Sequence, residues 1–105
     1  MARVLAVVAD LMLSSRVAEG LGAAGHQVVV VAALPEAVEA DLIVCDLDAV
    51  DAAAVAAAGP PSLGFYSHVD AETRSSAQEA GIDLVVPRSR MARELPELVE
   101  GLLHG

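Results

Sequence analysis

The chain has no lysine, no tryptophan, and only one each of phenylalanine, tyrosine and cysteine. So few aromatic rings leave no platform on which bases could stack. Fifteen acids against six arginines give a formal net charge of -9. Such a chain has no basic face for a nucleic-acid backbone or an anionic membrane surface, so neither is expected as a partner. Cations and basic protein surfaces are the partners this charge favours. A P-loop is excluded because its phosphate-binding lysine is missing. Cys45 cannot form an internal disulfide, and within an apolar run it reads as a small core hydrophobe. No window reaches the length of a membrane span, and the first apolar run is only as long as a strand, with no cleavage signature. A cytoplasmic setting is therefore expected. No Ser-His-Asp or Cys-His order stands out as catalytic.

What is present is aliphatic. The hydrophobic fraction is 55%, but 21 of the 105 residues are alanine, so Val, Leu and Ile must build the core. The length suits one domain over residues 1–105. Arg3 to Ala9, Gln27 to Ala33, Asp41 to Leu47, Ser62 to Tyr66 and Ile82 to Val86 read as buried strands. Between them, Ser14 or Ser15 can cap a helix to about Ala24, with Leu13, Val17, Leu21 and Ala24 on one face and Gly25 closing it. Pro35 to Ala40 has room for one or two helical turns. Ala49 to Ala58, and Asp70 or Ala71 to Ala80, read as helices, the second closed by Gly81. Pro96 places the start of the last helix near Leu95, after a loose turn at Met91 to Glu94. Strand and helix alternate five times, which predicts an α/β fold. The expected form is a five-stranded parallel sheet of order 2-1-3-4-5 with helices on both faces, the flavodoxin-like arrangement.

In such a sheet, ligands bind at the carboxyl edge where the strand order reverses. The first, third and fourth strands end there on Asp10, Asp46 and Ser67. Two carboxylates about 5 Å apart would repel by roughly 3 kcal/mol at an effective dielectric of 20, so a cation or a raised pKa is expected. Each residue also has a plainer reading, since strand-end Asp and Ser commonly serve turns and helix caps. A dinucleotide glycine fingerprint should follow the first strand, but Asp10-Leu11-Met12 stands in its place. Leu11, Met12 and Leu13 either plug the core over the first helix or form an apolar lip beside the site. Arg88, Arg90 and Arg93 make a local positive cluster, either for phosphate or for nearby acids. His68 could serve as a proton donor or ligand beside Ser67, while His26 and His104 read as solvated.

Asp41-Leu42-Ile43-Val44-Cys45-Asp46, with Ala71 to Gly81 leading into the fifth strand, resembles a response-regulator receiver domain over nearly the whole length. The resemblance implies that Asp46 stands at the phospho-acceptor position. It implies that Ser67 is the switch hydroxyl, and that Asp10, Asp46 and the backbone carbonyl of Asp48 surround a magnesium ion. The departures from the family are specific. The acidic pair is reduced to Ala9-Asp10-Leu11. The lysine ahead of the proline after the fifth strand is Val86, before Pro87, and Arg88 is the possible phosphate partner. The proline-glycine loop after the acceptor is Asp48-Ala49-Val50, and the fifth strand has no aromatic switch residue.

The sequence therefore reads as a stand-alone, divergent receiver-like (pseudo-receiver) signalling domain acting by protein-protein contact. Magnesium binding is expected to be weak, and no catalysis is expected beyond self-phosphorylation at Asp46. The expected partners are a kinase or a downstream signalling protein, with a homodimer as a further possibility. The alternative is a flavodoxin-like module binding a small ligand or nucleotide.

Overall fold

A computed structural model of the chain describes residues 2–67 and 71–104. The strands are β1 (Arg3–Val7), β2 (Gln27–Val31), β3 (Leu42–Asp46), β4 (Ser62–Tyr66) and β5 (Leu84–Pro87). The helices are α1 (Leu11–Ala23), α2 (Ala52–Ala57), α3 (Ala71–Ala80) and α4 (Arg88–His104). All strand pairs are parallel and the order is β2-β1-β3-β4-β5, as the sequence pattern predicts.

Alternation along the strands divides the core in two. Val4, Ala6, Val8, Leu42, Val44, Leu63, Phe65 and Val86 meet α1 and α4 on one face. Leu5, Val7, Ile43, Cys45, Tyr66 and Val85 meet Val55 of α2 and Ala77 of α3 on the other. Both faces are covered, which is why the central strands read as continuous apolar runs.

Several boundaries differ from the sequence expectation. Helix α1 starts at Leu11, because Asp10 takes the N-cap and its Oδ1 accepts the Leu13 N–H at 3.0 Å. An aspartate is as good an N-cap as a serine and stands earlier in the chain, so Ser14 is left buried inside the helix. The stripe Leu13, Val17 and Leu21 is buried as expected, whereas Ala24 is exposed at the C-cap. Residues 35–40 are not helical. Leu34, Val38 and Ala40 pack against the sheet instead.

Helix α2 is shorter than its alanine run. Ala49 and Val50 N–H both bond the Asp46 carbonyl in a turn, and Asp51 caps the helix through Ala53. Strand β5 begins late because the Ile82 N–H is used to close α3 on the Ala77 carbonyl, with Gly81 at φ +107°. The fourth helix runs unbroken through Pro96. Met91, Leu95, Leu98 and Val99 bury one stripe of α4, and that packing outweighs the single backbone bond the proline removes.

Candidate functional site

β1 and β3 are adjacent, with Val7 opposite Cys45. Asp10 and Asp46 therefore leave neighbouring strands at the same carboxyl edge, at the reversal of strand order. Asp46 is opposite Phe65 on β4, and Tyr66 is opposite Pro87 on β5. Ser67 and Arg88 follow those two residues directly. The fold thus brings Asp10, Asp46, Asp48, Ser67 and Arg88 to one rim. His68 lies outside the described residues.

The acids on this rim are already engaged. Asp10 holds the first turn of α1. Asp46 Oδ1 accepts the Asp48 N–H at 3.0 Å, and Asp48 Oδ2 accepts the Ser67 N–H at 2.8 Å. A hydrogen-bond relay therefore runs from the end of β3 to the loop after β4. The sequence resemblance drew attention to the Asp48 carbonyl, but it is the Asp48 carboxylate that ties the two loops together. The Asp46-Leu47-Asp48 spacing carried that signal, since Asp side chains commonly bond an amide two residues on. For Asp10 and Asp46, the capping and turn readings are realised together with their position at the rim.

Leu47, between the two acids, lies down on β4 because Gly64 has no side chain. A Cβ at Gly64 would stand 2.8 Å from two carbons of Leu47. Nothing in the sequence pattern pointed to this pair, because the contact joins the turn after β3 to the middle of β4.

Asp46 has its pKa raised above the ordinary carboxylate value. Burial is the largest cause; the Asp48 N–H bond opposes it, the Asp48 charge adds to it, Arg88 opposes it and Asp10 adds to it. Asp10, Asp48 and Arg88 are therefore all within electrostatic reach of Asp46. Cys45, next in the strand, is pushed up to about 12 by burial and then by the Asp46 charge, so it is an inert core thiol.

Arg90 and Arg93 turn to Glu94, at 3.4 and 3.9 Å, and Arg88 is the arginine of the cluster whose charge reaches Asp46. Leu11 and Met12 do not plug the core. They are 83% and 78% exposed beside Asp10, and only Leu13 turns inward. His26 is also unlike its expectation. Its side chain is 5% exposed at the opposite edge of the sheet, accepting the Ala2 N–H at Nδ1 and meeting Glu100 at Nε2. His104 is exposed, and it too meets Glu100, at 3.0 Å.

Among the described residues, no three His, Cys, Asp or Glu side chains gather closely enough to hold a metal ion. Two carboxylates and a backbone carbonyl remain a hard-oxygen donor set. Such donors are the kind that hold magnesium, which keeps several waters and is commonly bound through one or two carboxylates. No helix among the described residues is long and apolar enough to cross a membrane.

No family model matches the chain, and no curated protein matches it. Solved structures do. A CheY-like response-regulator receiver domain protein from Methanospirillum hungatei JF-1 superimposes with a TM-score of 0.86 at 18% identity, covering 99% of this chain and 94% of that one. The receiver domain of the Francisella response regulator 1452 gives 0.83 at 16% identity, covering 99% and 98%. The ChxR receiver domain from Chlamydia trachomatis gives 0.75 at 19% identity, covering the whole of both chains. Likeness at these identities speaks for the fold, and with the strand order it gives one conclusion: the chain has the flavodoxin-like fold that these receiver domains share.

Proposed function

We propose that the protein is a divergent receiver-like signalling domain that acts by contact with a protein partner, a kinase or a downstream signalling protein. Its switch is the hydrogen-bond relay Asp46–Asp48–Ser67 in place of the family's lysine. The observation that carries this reading is the relay itself, which joins the acceptor position to the loop after β4. Any change of charge on Asp46 alters an acceptor of the Asp48 N–H, and Asp48 in turn holds Ser67. The rim around Ser67, together with the exposed Leu11 and Met12 that follow Asp10, is then the surface that a partner reads.

Magnesium at Asp10, Asp46 and the Asp48 carbonyl would supply neutralisation of the negative charge at this rim. Asp10 and Asp46 each have one carboxylate oxygen engaged with a backbone amide, which leaves the other for the ion. Arg88 is the basic group that faces a phosphoryl group on Asp46, although its fork is not a point charge like the ammonium it stands in for. With one acid fewer and no lysine, phosphorylation at Asp46 is slow, and no other catalysis is proposed.

The test is incubation with acetyl phosphate and magnesium, read by intact-protein mass spectrometry beside Asp46→Asn. Slow, substoichiometric labelling that Asp46→Asn abolishes is the expected result. Rapid stoichiometric labelling would mean an ordinary receiver site. Absence of labelling, with no magnesium heat in calorimetry, would remove the site from the reading.

A further inference from the structure

The crossover from β2 to β3 has no helix, and this leaves β2 uncovered in two ways. Val29 and Val30 are 56% and 42% exposed on opposite faces of the edge strand. Val29 borders an open recess of about 280 Å³ with Arg3, Leu5, Gln27, Glu39 and Ala40, on the sheet face that the missing helix would cover. The outer backbone edge is also open. The Gln27 N–H bonds the Ala2 carbonyl and the Val31 carbonyl accepts the Val8 N–H, so the odd positions of β2 face β1. Parallel-ladder alternation then turns the N–H and C=O of Val28 and Val30 outward, and no hydrogen bond joins them to another described residue. Natural edges are guarded by charge, proline, a bulge or a covering helix. The strand Gln-Val-Val-Val-Val has no charge and no proline, and lacks a helix over Val29.

We infer that β2 is a self-pairing edge: two copies of the chain join antiparallel along it into one ten-stranded sheet. The hydrogen-bonding groups ask for an extended strand as occupant, and the strand's own sequence meets that demand without like charges facing each other. The register follows from the outward groups. A two-fold axis at Val29 sets Val28 opposite Val30 of the second copy, and the reverse, as hydrogen-bonded pairs. It also sets the two Val29 side chains together at the close-approach pair. The contact is isologous and closes at two copies. A five-residue seam falls short of the roughly 1,600 Å² of a standard stable interface, so the dimer is weak and concentration-dependent. Each copy carries a net charge of -9, so added salt strengthens the association by screening.

Sedimentation equilibrium and amide hydrogen exchange of the full chain, from ~20 μM to ~1 mM, test this. Reversible dimerisation is expected, with exchange at Val28 and Val30 slowing by about tenfold or more over that range while Val29 stays protected throughout. Val29→Lys places like charges together at the axis, and Val30→Pro removes an outward donor where an edge strand tolerates proline. Both variants should remain monomeric with unchanged circular dichroism, and Met12→Asp should still dimerise. A chain monomeric at the highest concentration would overturn the inference. So would a dimer that survives Val29→Lys, or one lost in Met12→Asp.

Discussion

Asp10, Asp41, Asp46, Asp48, Asp51 and Asp83 each accept a backbone N–H, from Leu13, Arg3, Asp48, Ser67, Ala53 and Ser62 respectively. The acidity of the chain is therefore partly architectural, since carboxylates close loops and caps at both edges of the sheet. Asp46 is set apart by its raised pKa. A carboxyl whose pKa is higher folded than unfolded holds its proton better in the native state. Stability from this group is greatest below the unfolded value, falls as pH rises through the folded one, and stays reduced at neutrality. Asp46→Asn keeps an acceptor for Asp48 and removes the charge. It should therefore raise the unfolding midpoint at pH 7 relative to the parent, and the gap should close as pH falls toward 4, as thermal melts across that range will show. Asp48→Ala takes away the acceptor of the Ser67 N–H. A loss of about 1 kcal/mol is expected, with faster exchange at the Ser67 amide in hydrogen-exchange spectra.

Among the elements, the paired strands β3 and β4 and the helix α4 carry the sharpest tests. Gly64→Ala drives a methyl into the whole isopropyl end of Leu47, between the two rim acids. Because the strands are fixed by their neighbours, Leu47 must leave its place; denaturant unfolding should show a loss of about 1–3 kcal/mol. Pro96 interrupts the backbone bonding of α4 without ending the helix. Pro96→Ala restores a donor for the Ala92 carbonyl and should stabilise the protein by about 1–3 kcal/mol in the same measurement. The sequence overstated the force of this proline because the burial of Met91, Leu95, Leu98 and Val99 against the sheet and α1 is a tertiary effect. It also overstated the segment 35–40, where a proline start looked helical but the chain forms an irregular crossover whose Val38 and Ala40 pack against the sheet.

For the whole molecule, alternation of apolar runs and amphipathic segments carried the sheet order, because burial on both faces writes a continuous aliphatic pattern into the central strands. The rim was legible for the same reason: Asp10, Asp46 and Ser67 stand where buried runs stop. Contacts between loops were not. The Asp48 link to Ser67, the Leu47 contact with Gly64 and the burial of His26 join residues far apart in the chain, and local pattern records none of them. The Asp48 link to Ser67, with the Asp46 bond to the Asp48 amide, is what makes the rim a coupled unit, and the proposed switch depends on that coupling. It is tested most directly by amide NMR of the chain during titration with magnesium and beryllofluoride, a phosphoryl mimic for Asp46. The account predicts that the Asp48 and Ser67 amides shift together, and that Asp48→Ala leaves the Asp48-position amide responsive while silencing Ser67. Shifts confined to Asp46 and Asp10, with Ser67 unmoved in the parent protein, would contradict it.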